Sequence, residues 1–225
     1  MREIKFGIGE YYHVYNRGVD KRVIFMDDRD YERFLCLLFL SNSDKNFSIT
    51  KDSKDDWSFK KVLEMDRGEQ LVSIGAWCLM PNHFHILIRE KVEGGISKFM
   101  HKLTMGYSGY FNKKYLRRGS LFEGAFKVRH VDSDKYLKYM YAYIHLNSVG
   151  IIDKGWKNKH IGNVFEAKKF VKEFDYSSYK DYLGEERMEN KIIDKESFPN
   201  YFGTIQKFGQ MMDFWIDNSE ESFIH

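Results

Sequence analysis

Two short runs of apolar residues, separated by a proline-containing turn, constrain the fold of this chain more than any other feature. Residues 71–79 and 83–89 have the length and composition of β-strands. Pro81 lies between them, where a residue that cannot donate a backbone hydrogen bond is tolerated. We therefore expect two neighbouring strands that are joined through Met80-Pro81-Asn82.

Further strands and helices are predicted on both sides of this pair. Residues 11–19, which are rich in aromatic and β-branched side chains, favour a first strand, and residues 121–130 favour a last one. Apolar residues at helical spacing favour helices at 31–40, at 96–115 and from the N-cap residues 132–134 to about 146–149. This order predicts an α+β fold in which an antiparallel sheet carries helices on one face.

The length of 225 residues suits one substantial domain with an appendage. After Gly150 the periodic pattern weakens, although residues 165–174 and 204–216 still favour helices. We expect a catalytic domain at residues 1–150 and a partly helical C-terminal extension at residues 151–225.

Charge is distributed unevenly, and the net charge of +3 conceals this. Between positions 98 and 129 there is one acid, Glu123, and eight basic residues: Lys98, Lys102, Lys113, Lys114, Arg117, Arg118, Lys127 and Arg129. From residue 185 onward acids outnumber bases. A basic middle region indicates a polyanionic partner, although solvated helix faces would give the same pattern.

Two cysteines and the absence of a long apolar segment indicate the compartment. Cys36 and Cys78 both lie in apolar runs, which favours reduced core residues over a disulfide or a zinc site. No stretch approaches the roughly 20 apolar residues of a membrane-spanning helix, and the first ten residues do not resemble a signal peptide. We expect a cytoplasmic protein with no membrane partner.

The strand after the turn carries the strongest chemical signal, the sequence His83-Phe84-His85. Side chains alternate between the two faces of a strand, so both imidazoles point one way and Phe84 points into the core. Imidazoles at two successive positions of one face can share a divalent ion. An H-x-H sequence alone is more often structural, so the signal needs support.

The last predicted helix offers that support. Tyr143 and Asn147 are four residues apart and lie on one helix face. The amide oxygen of Asn147 suits Mg²⁺ or Mn²⁺ as a third ligand, and the phenol of Tyr143 is a nucleophile. Against this, Asn147 would also serve as a helix C-cap, and three other tyrosines of the helix compete with Tyr143: Tyr136, Tyr139 and Tyr141.

Four sequence blocks resemble the HUH-type single-tyrosine transposases, in the branch of REP-associated tyrosine transposases and small insertion-sequence transposases. The blocks are Tyr12-His13-Val14-Tyr15-Asn16-Arg17-Gly18, Met80-Pro81-Asn82-His83-Phe84-His85-Ile86-Leu87, Gly119-Ser120-Leu121-Phe122-Glu123-Gly124-Ala125-Phe126-Lys127 and Tyr143-Ile144-His145-Leu146-Asn147-Ser148-Val149. The family pattern usually has proline where this chain has Ser148, which alters no ligand. The resemblance implies a ferredoxin-like, HUH-endonuclease-like sheet.

The resemblance also implies the roles of the residues. His83, His85 and Asn147 would bind Mg²⁺ or Mn²⁺, and Tyr143 would cleave single-stranded DNA to leave a 5′-phosphotyrosine and a free 3′-hydroxyl. The Tyr139/Tyr143 pair also resembles two-tyrosine replication initiators, so Tyr139 remains a second candidate nucleophile. Relatives act as monomers or as homodimers that share the tyrosine helix, and both arrangements remain open.

We expect the DNA partner to be a hairpin with single-stranded flanks, which the basic helix would hold. The predicted phosphate contacts are Arg17, Lys102, Lys113, Lys114, Arg117, Arg118, Lys127 and Arg129. Tyr107, Tyr110, Tyr115 and Phe122 are candidates for stacking on bases or for the core. Two alternatives are a catalytically inactive module that binds hairpin DNA or RNA, and a metal-dependent hydrolase in which Tyr143 is structural.

Overall fold

Four antiparallel strands form the centre of the fold. The computed structural model describes residues 5–47, 58–156 and 161–218. The strands are β1 (Tyr11–Arg17), β2 (Val72–Met80), β3 (His83–Glu90) and β4 (Lys127–Val131), and they lie in the order β2-β3-β1-β4. The helices are α1 (Asp28–Ser41), α2 (Phe59–Leu63), α3 (Gly95–Lys114), α4 (Asp134–Leu146), α5 (Val164–Glu173), α6 (Tyr179–Tyr182) and α7 (Ile205–Asp217). This strand order, with α1 and α3 as the crossovers, confirms the ferredoxin-like α+β fold.

One face of the sheet is sealed by α1 and α3. Phe84, Ile86 and Ile88 of β3 point to this face and belong to one buried apolar cluster with the two helices. Phe84 packs against Phe34 of α1, with ring centroids 5.0 Å apart. Asp27 begins α1 by accepting a hydrogen bond from the backbone N–H of Asp30, as an N-cap residue does.

The second face is covered by α4, so the expectation of helices on one face only was wrong. Leu137, Met140 and Ile144 of α4 pack against Ala76 and Leu87 of the sheet in a separate buried cluster. The helical pattern of α4 is local and predicts an apolar stripe, but it does not say which face of the sheet that stripe covers.

Two predicted strand ends also differ from the structure. The first strand ends at Arg17, because Asp20 and Lys21 have positive φ angles of 56° and 58° in the turn that follows. The last strand begins at Lys127 and not at residue 121, because Gly124 has a φ of 144° and breaks the extended chain. Phe122 instead forms an isolated bridge with Gly18.

The C-terminal extension lies along the outer edge of β2. The backbone N–H of Leu79 donates to the carbonyl oxygen of Tyr176 at 2.8 Å, and that of Ser178 donates to Trp77 at 2.9 Å. Further along the same edge, the backbone N–H of Asp194 donates to Ile74 at 2.8 Å. The division at residue 150 stays a prediction, but the extension continues the hydrogen bonding of the sheet.

Both cysteines, Cys36 and Cys78, are buried free thiols, as their apolar sequence context predicted. Among residues 5–47, 58–156 and 161–218, no helix combines the length and apolar character that a membrane crossing requires.

Candidate active site

The second face of the sheet brings the histidines of β3 next to α4. The ring centroids of His83 and His85 are 5.0 Å apart, and the ring of Tyr143 lies 5.7 Å from that of His85 at an interplanar angle of 87°. Tyr143 is half-buried. The alternation of β3 places Phe84 in the opposite core, so one strand supplies both the packing and the imidazoles.

A third imidazole, His13 of β1, also belongs to the site, although it was not among the predicted site residues. Its Nε2 and the Nδ1 of His85 form a hydrogen bond of 2.7 Å, and the two buried rings stack 5.0 Å apart. The ring of His13 also contacts Tyr143, at 5.8 Å. The available signal was the alternation of β1, which puts Tyr11, His13 and Tyr15 on one face.

The third predicted metal ligand, Asn147, lies at the C-cap of α4. Its side-chain amide donates to the carbonyl oxygen of Tyr143 at 2.6 Å, and the residue is buried. The amide group therefore performs the C-capping role that the sequence left open. Its oxygen is the atom that would act as a metal ligand, so the capping bond and the predicted role use different atoms.

The other tyrosines of α4 are placed differently from Tyr143. Tyr141 is fully buried on the β2 side, and burial raises its pKa well above the ordinary value. Tyr139 contacts Tyr143 at 5.8 Å and Trp215 of α7 at 5.2 Å, and burial with the neighbouring Tyr143 raises the pKa of Tyr139. Among the tyrosines of α4, Tyr143 is the one with ring contacts to both His13 and His85.

His145, the remaining histidine of α4, points away from the site. It is fully buried, and its Nε2 forms a hydrogen bond of 2.8 Å with the hydroxyl of Ser178 in the extension. Burial lowers the pKa of His145 to about 3. The imidazole is neutral at pH 7 and joins α4 to the extension.

Three of the predicted phosphate contacts belong to the same face as the site. Arg17 pairs with His83 across β1 and β3, while Arg129 pairs with His13 across β1 and β4. Lys127 pairs with Tyr15 and is exposed. Residues paired across antiparallel strands point to the same face, so these cations lie on the face that carries the imidazoles.

The other predicted contacts lie on or just after α3, beyond the opposite face, and two of them are held by internal partners. Lys114 forms ion pairs with Asp27 and Asp30 at 2.7 Å each, and Lys102 donates to the carbonyl oxygens of Ser43 and Lys45. Burial opposes the charge of Lys114, but its hydrogen bonds to the aspartates outweigh burial and raise its pKa. These bonds engage both ammonium groups within the protein, and the assignment of Lys102 and Lys114 to DNA stays a prediction.

The remaining cations of this region are more accessible. Lys113 and Arg118 are exposed, and Arg117 donates to the side chain of Asn112 at 2.9 Å. The four aromatic residues that were candidates for stacking serve the core and its rim. Tyr107 and Phe122 are buried, while Tyr110 and Tyr115 donate hydrogen bonds to Asp30 at 2.9 and 2.7 Å.

The two imidazoles of β3 could each offer one ring nitrogen to a divalent ion. Nδ1 of His83 bonds to the side chain of Asn82 at 2.6 Å, and Nδ1 of His85 bonds to His13, so each ring would present Nε2 to a cation. Among the described residues, no group of three or more His, Cys, Asp or Glu side chains could hold a metal. A site here would thus need a neutral oxygen donor such as Asn147, together with water or substrate.

Comparison with known proteins places this geometry in context. Residues 38–147 match the family described as IS200-like transposases, and this range includes His83, His85, Tyr143 and Asn147. A solved structure of a REP-associated tyrosine transposase bound to a REP hairpin aligns with a TM-score of 0.51 at 11% identity. The alignment covers 84% of this chain and 90% of that chain, so it includes part of the extension. No curated protein matches the chain.

Proposed function

Since residues 38–147 match the family of IS200-like transposases, we propose that the chain nicks and rejoins single-stranded DNA with Tyr143 as the nucleophile. The single observation that carries this proposal is the contact of the Tyr143 ring with the His85 ring, 5.7 Å between centroids. It joins a nucleophile of α4 to the imidazole pair of β3 on the second face of the sheet.

The proposed step exchanges one phosphodiester for another. The phenolic oxygen of Tyr143 attacks the phosphorus, the bond from phosphorus to the 3′-oxygen breaks, and the 3′-oxygen takes up a proton while the phenol loses one. The products are a 5′-phosphotyrosine and a free 3′-hydroxyl. Attack by such a hydroxyl on the phosphotyrosine reverses the step and rejoins two strands.

His83, His85 and Asn147 are the residues that would hold Mg²⁺ or Mn²⁺. When bound, such an ion stabilises the charge that develops on the phosphoryl oxygens. His13 would fix the ring of His85, because a ligating histidine is commonly oriented by a hydrogen bond at its other nitrogen. Arg17, Lys127 and Arg129 would contact phosphates of the strand on the same face.

The experiment that tests the proposal is the trapping of a covalent adduct. The protein is incubated with a hairpin oligonucleotide that has single-stranded flanks and Mg²⁺ or Mn²⁺, and the products are separated under denaturing conditions. A label at the 3′ end should migrate with the protein, whereas a label at the 5′ end should appear on a shorter DNA fragment. Tyr143→Phe should reduce the adduct by at least about 1,000-fold and leave DNA binding intact.

Tyr139→Phe is the matched control, because it removes a hydroxyl from the same helix one turn away. An adduct that persists in Tyr143→Phe but disappears in Tyr139→Phe would identify Tyr139 as the nucleophile. Cleavage without any adduct would favour the hydrolase alternative, in which water attacks. DNA binding without cleavage would favour the inactive binding module.

A further inference from the structure

A row of aromatic rings leads from Tyr143 along α4 to the C-terminal extension. The ring centroids of Tyr139 and Tyr143 are 5.8 Å apart, and those of Tyr136 and Tyr139 are 6.0 Å apart in a stacked arrangement. Trp215 of α7 adds a ring 5.2 Å from Tyr139. All four side chains are partly exposed, so the row forms part of the surface next to the site.

A guanidinium group borders this row. Arg129 of β4 is exposed and interacts with the phenolic oxygens of Tyr15 and Tyr136, and these contacts raise its pKa. Tyr15 in turn lies 5.7 Å from the ring of His85. The cation is therefore held between the imidazoles and the first ring of the row.

The acids of α7 do not oppose an anionic ligand here. Asp217 forms an ion pair of 2.8 Å with Lys168 of α5, and Asp213 lies 3.8 Å from the same ammonium group. These contacts direct the negative charge of α7 toward α5, whereas Trp215 faces α4. The tail is acidic overall, but the part of it that meets Tyr139 is aromatic.

The substrate of the proposed reaction is a polymer, so nucleotides flank the attacked phosphate on both sides. The nucleotides on either side must lie beside Tyr143. Among the described residues, further ring neighbours of Tyr143 include Trp156, which is buried, and Tyr139, which is partly exposed. Unpaired bases stack on exposed aromatic rings, while bases of a duplex have no free faces to offer.

We propose that Tyr139 and Trp215 form a stacking surface for an unpaired base next to the scissile phosphate, while Arg129 contacts a neighbouring phosphate. Helix α7 thereby completes the single-strand binding site, which gives the extension a direct role in DNA binding. The inference rests on the proposed function, since that function places the attacked phosphate at Tyr143.

The test measures binding separately from cleavage, in the full-length chain carrying Tyr143→Phe. The probe is fluorescein-labelled oligothymidine, and its dissociation constant is measured by fluorescence anisotropy. Trp215→Leu and Tyr139→Leu should each raise this constant roughly 5- to 150-fold, whereas Trp215→Phe and Tyr139→Phe, which keep a ring, should bind almost normally. Binding of the corresponding duplex should change much less.

Phe165→Leu is the matched control, because Phe165 is an exposed ring on α5 that lies outside the row. Unchanged binding by folded Trp215→Leu and Tyr139→Leu would overturn the inference, as would equal losses for duplex and single strand. If the leucine variants fail to fold, the fluorescence of Trp215 serves as the second test. It is measured as the difference in tryptophan emission between the parent protein and Trp215→Phe. That component should be quenched by saturating oligothymidine, and the absence of quenching refutes the stacking surface.

The outcome is separable from that of the proposed function. A wild-type protein that forms the adduct, while Trp215→Leu binds normally, contradicts only the stacking surface. A protein that forms no adduct, but whose binding depends on Trp215, contradicts only the nuclease.

Discussion

The two faces of the sheet use the same strands for different purposes. On the face under α1 and α3, Phe84, Ile86 and Ile88 are fully buried in one continuous apolar cluster. On the other face α4 covers the β2 side, and the β1 and β4 side stays open around His83 and Arg129. Alternation along a strand thus allows adjacent residues to serve stability and chemistry independently.

The largest expected effect tests this separation at neighbouring positions. Phe84→Ala should lower the free energy of unfolding by about 3–5 kcal/mol, because it leaves a cavity in the sealed core. Urea unfolding measures this loss. His85→Ala, one residue away, should cost less stability but remove metal binding. If His85→Ala is the more destabilising variant, the two faces do not divide stability and chemistry between them.

The next prediction concerns His13, on the second face of the sheet. His13→Phe keeps a ring against His85 but loses the hydrogen bond, so the affinity for Mn²⁺ should fall roughly 10- to 100-fold. Isothermal titration calorimetry measures it without DNA. His130→Phe is the control, because His130 pairs with Tyr12 on the opposite face, and it should leave the affinity unchanged. If His13→Phe and His130→Phe bind Mn²⁺ with equal affinity, His13 has no role in metal binding.

A third prediction concerns His145, which joins α4 to the C-terminal extension. The pKa of His145 is about 3 in the folded state, so below pH 6.5 the unfolded chain binds a proton that the native chain does not. As the pH is lowered from 6.5 to about 4.5, this group should therefore reduce the free energy of unfolding by about 1.4 kcal/mol per pH unit. His145→Gln should flatten the measured slope by that amount, and an unchanged slope would contradict the burial argument.

The smallest expected effect compares cations of the two faces. Arg129→Ala should reduce the salt dependence of single-strand binding, lowering the slope of log K against log salt concentration by about 0.7. Lys113→Ala, beyond the sealed face, should leave the slope unchanged. If Lys113→Ala changes this slope more than Arg129→Ala does, the DNA contacts α3 and not the face of β4 that carries Arg129.

Local patterns predicted the elements, but not how they meet. The spacing of apolar residues in α3 and α4 and the alternation of β3 were sufficient to find those elements, and Tyr143 and His85 indeed face each other. The partners of Lys114 could not be found in this way, because Asp27 and Asp30 lie on another helix more than eighty positions away. Placement of α4 on the second face depends on tertiary packing in the same way.

His13 and Trp215 illustrate two different reasons for missing residues of a site. The alternation of β1 contained the information about His13, and considering that strand by faces would have revealed it. Trp215 reaches Tyr139 only because α7 folds back over α4, which no local sequence pattern specifies. The roles assigned to His83, His85 and Asn147 as ligands remain predictions.

The hydrogen bonds between the extension and β2 determine what shortening the chain would do. Every residue of β2 is buried, and its outer backbone groups donate to or accept from residues 176, 178 and 194. A fragment that stops near residue 150 would present an unpaired apolar strand to solvent, which is a template for self-association. Removing the tail should therefore yield aggregates, and not a smaller working enzyme.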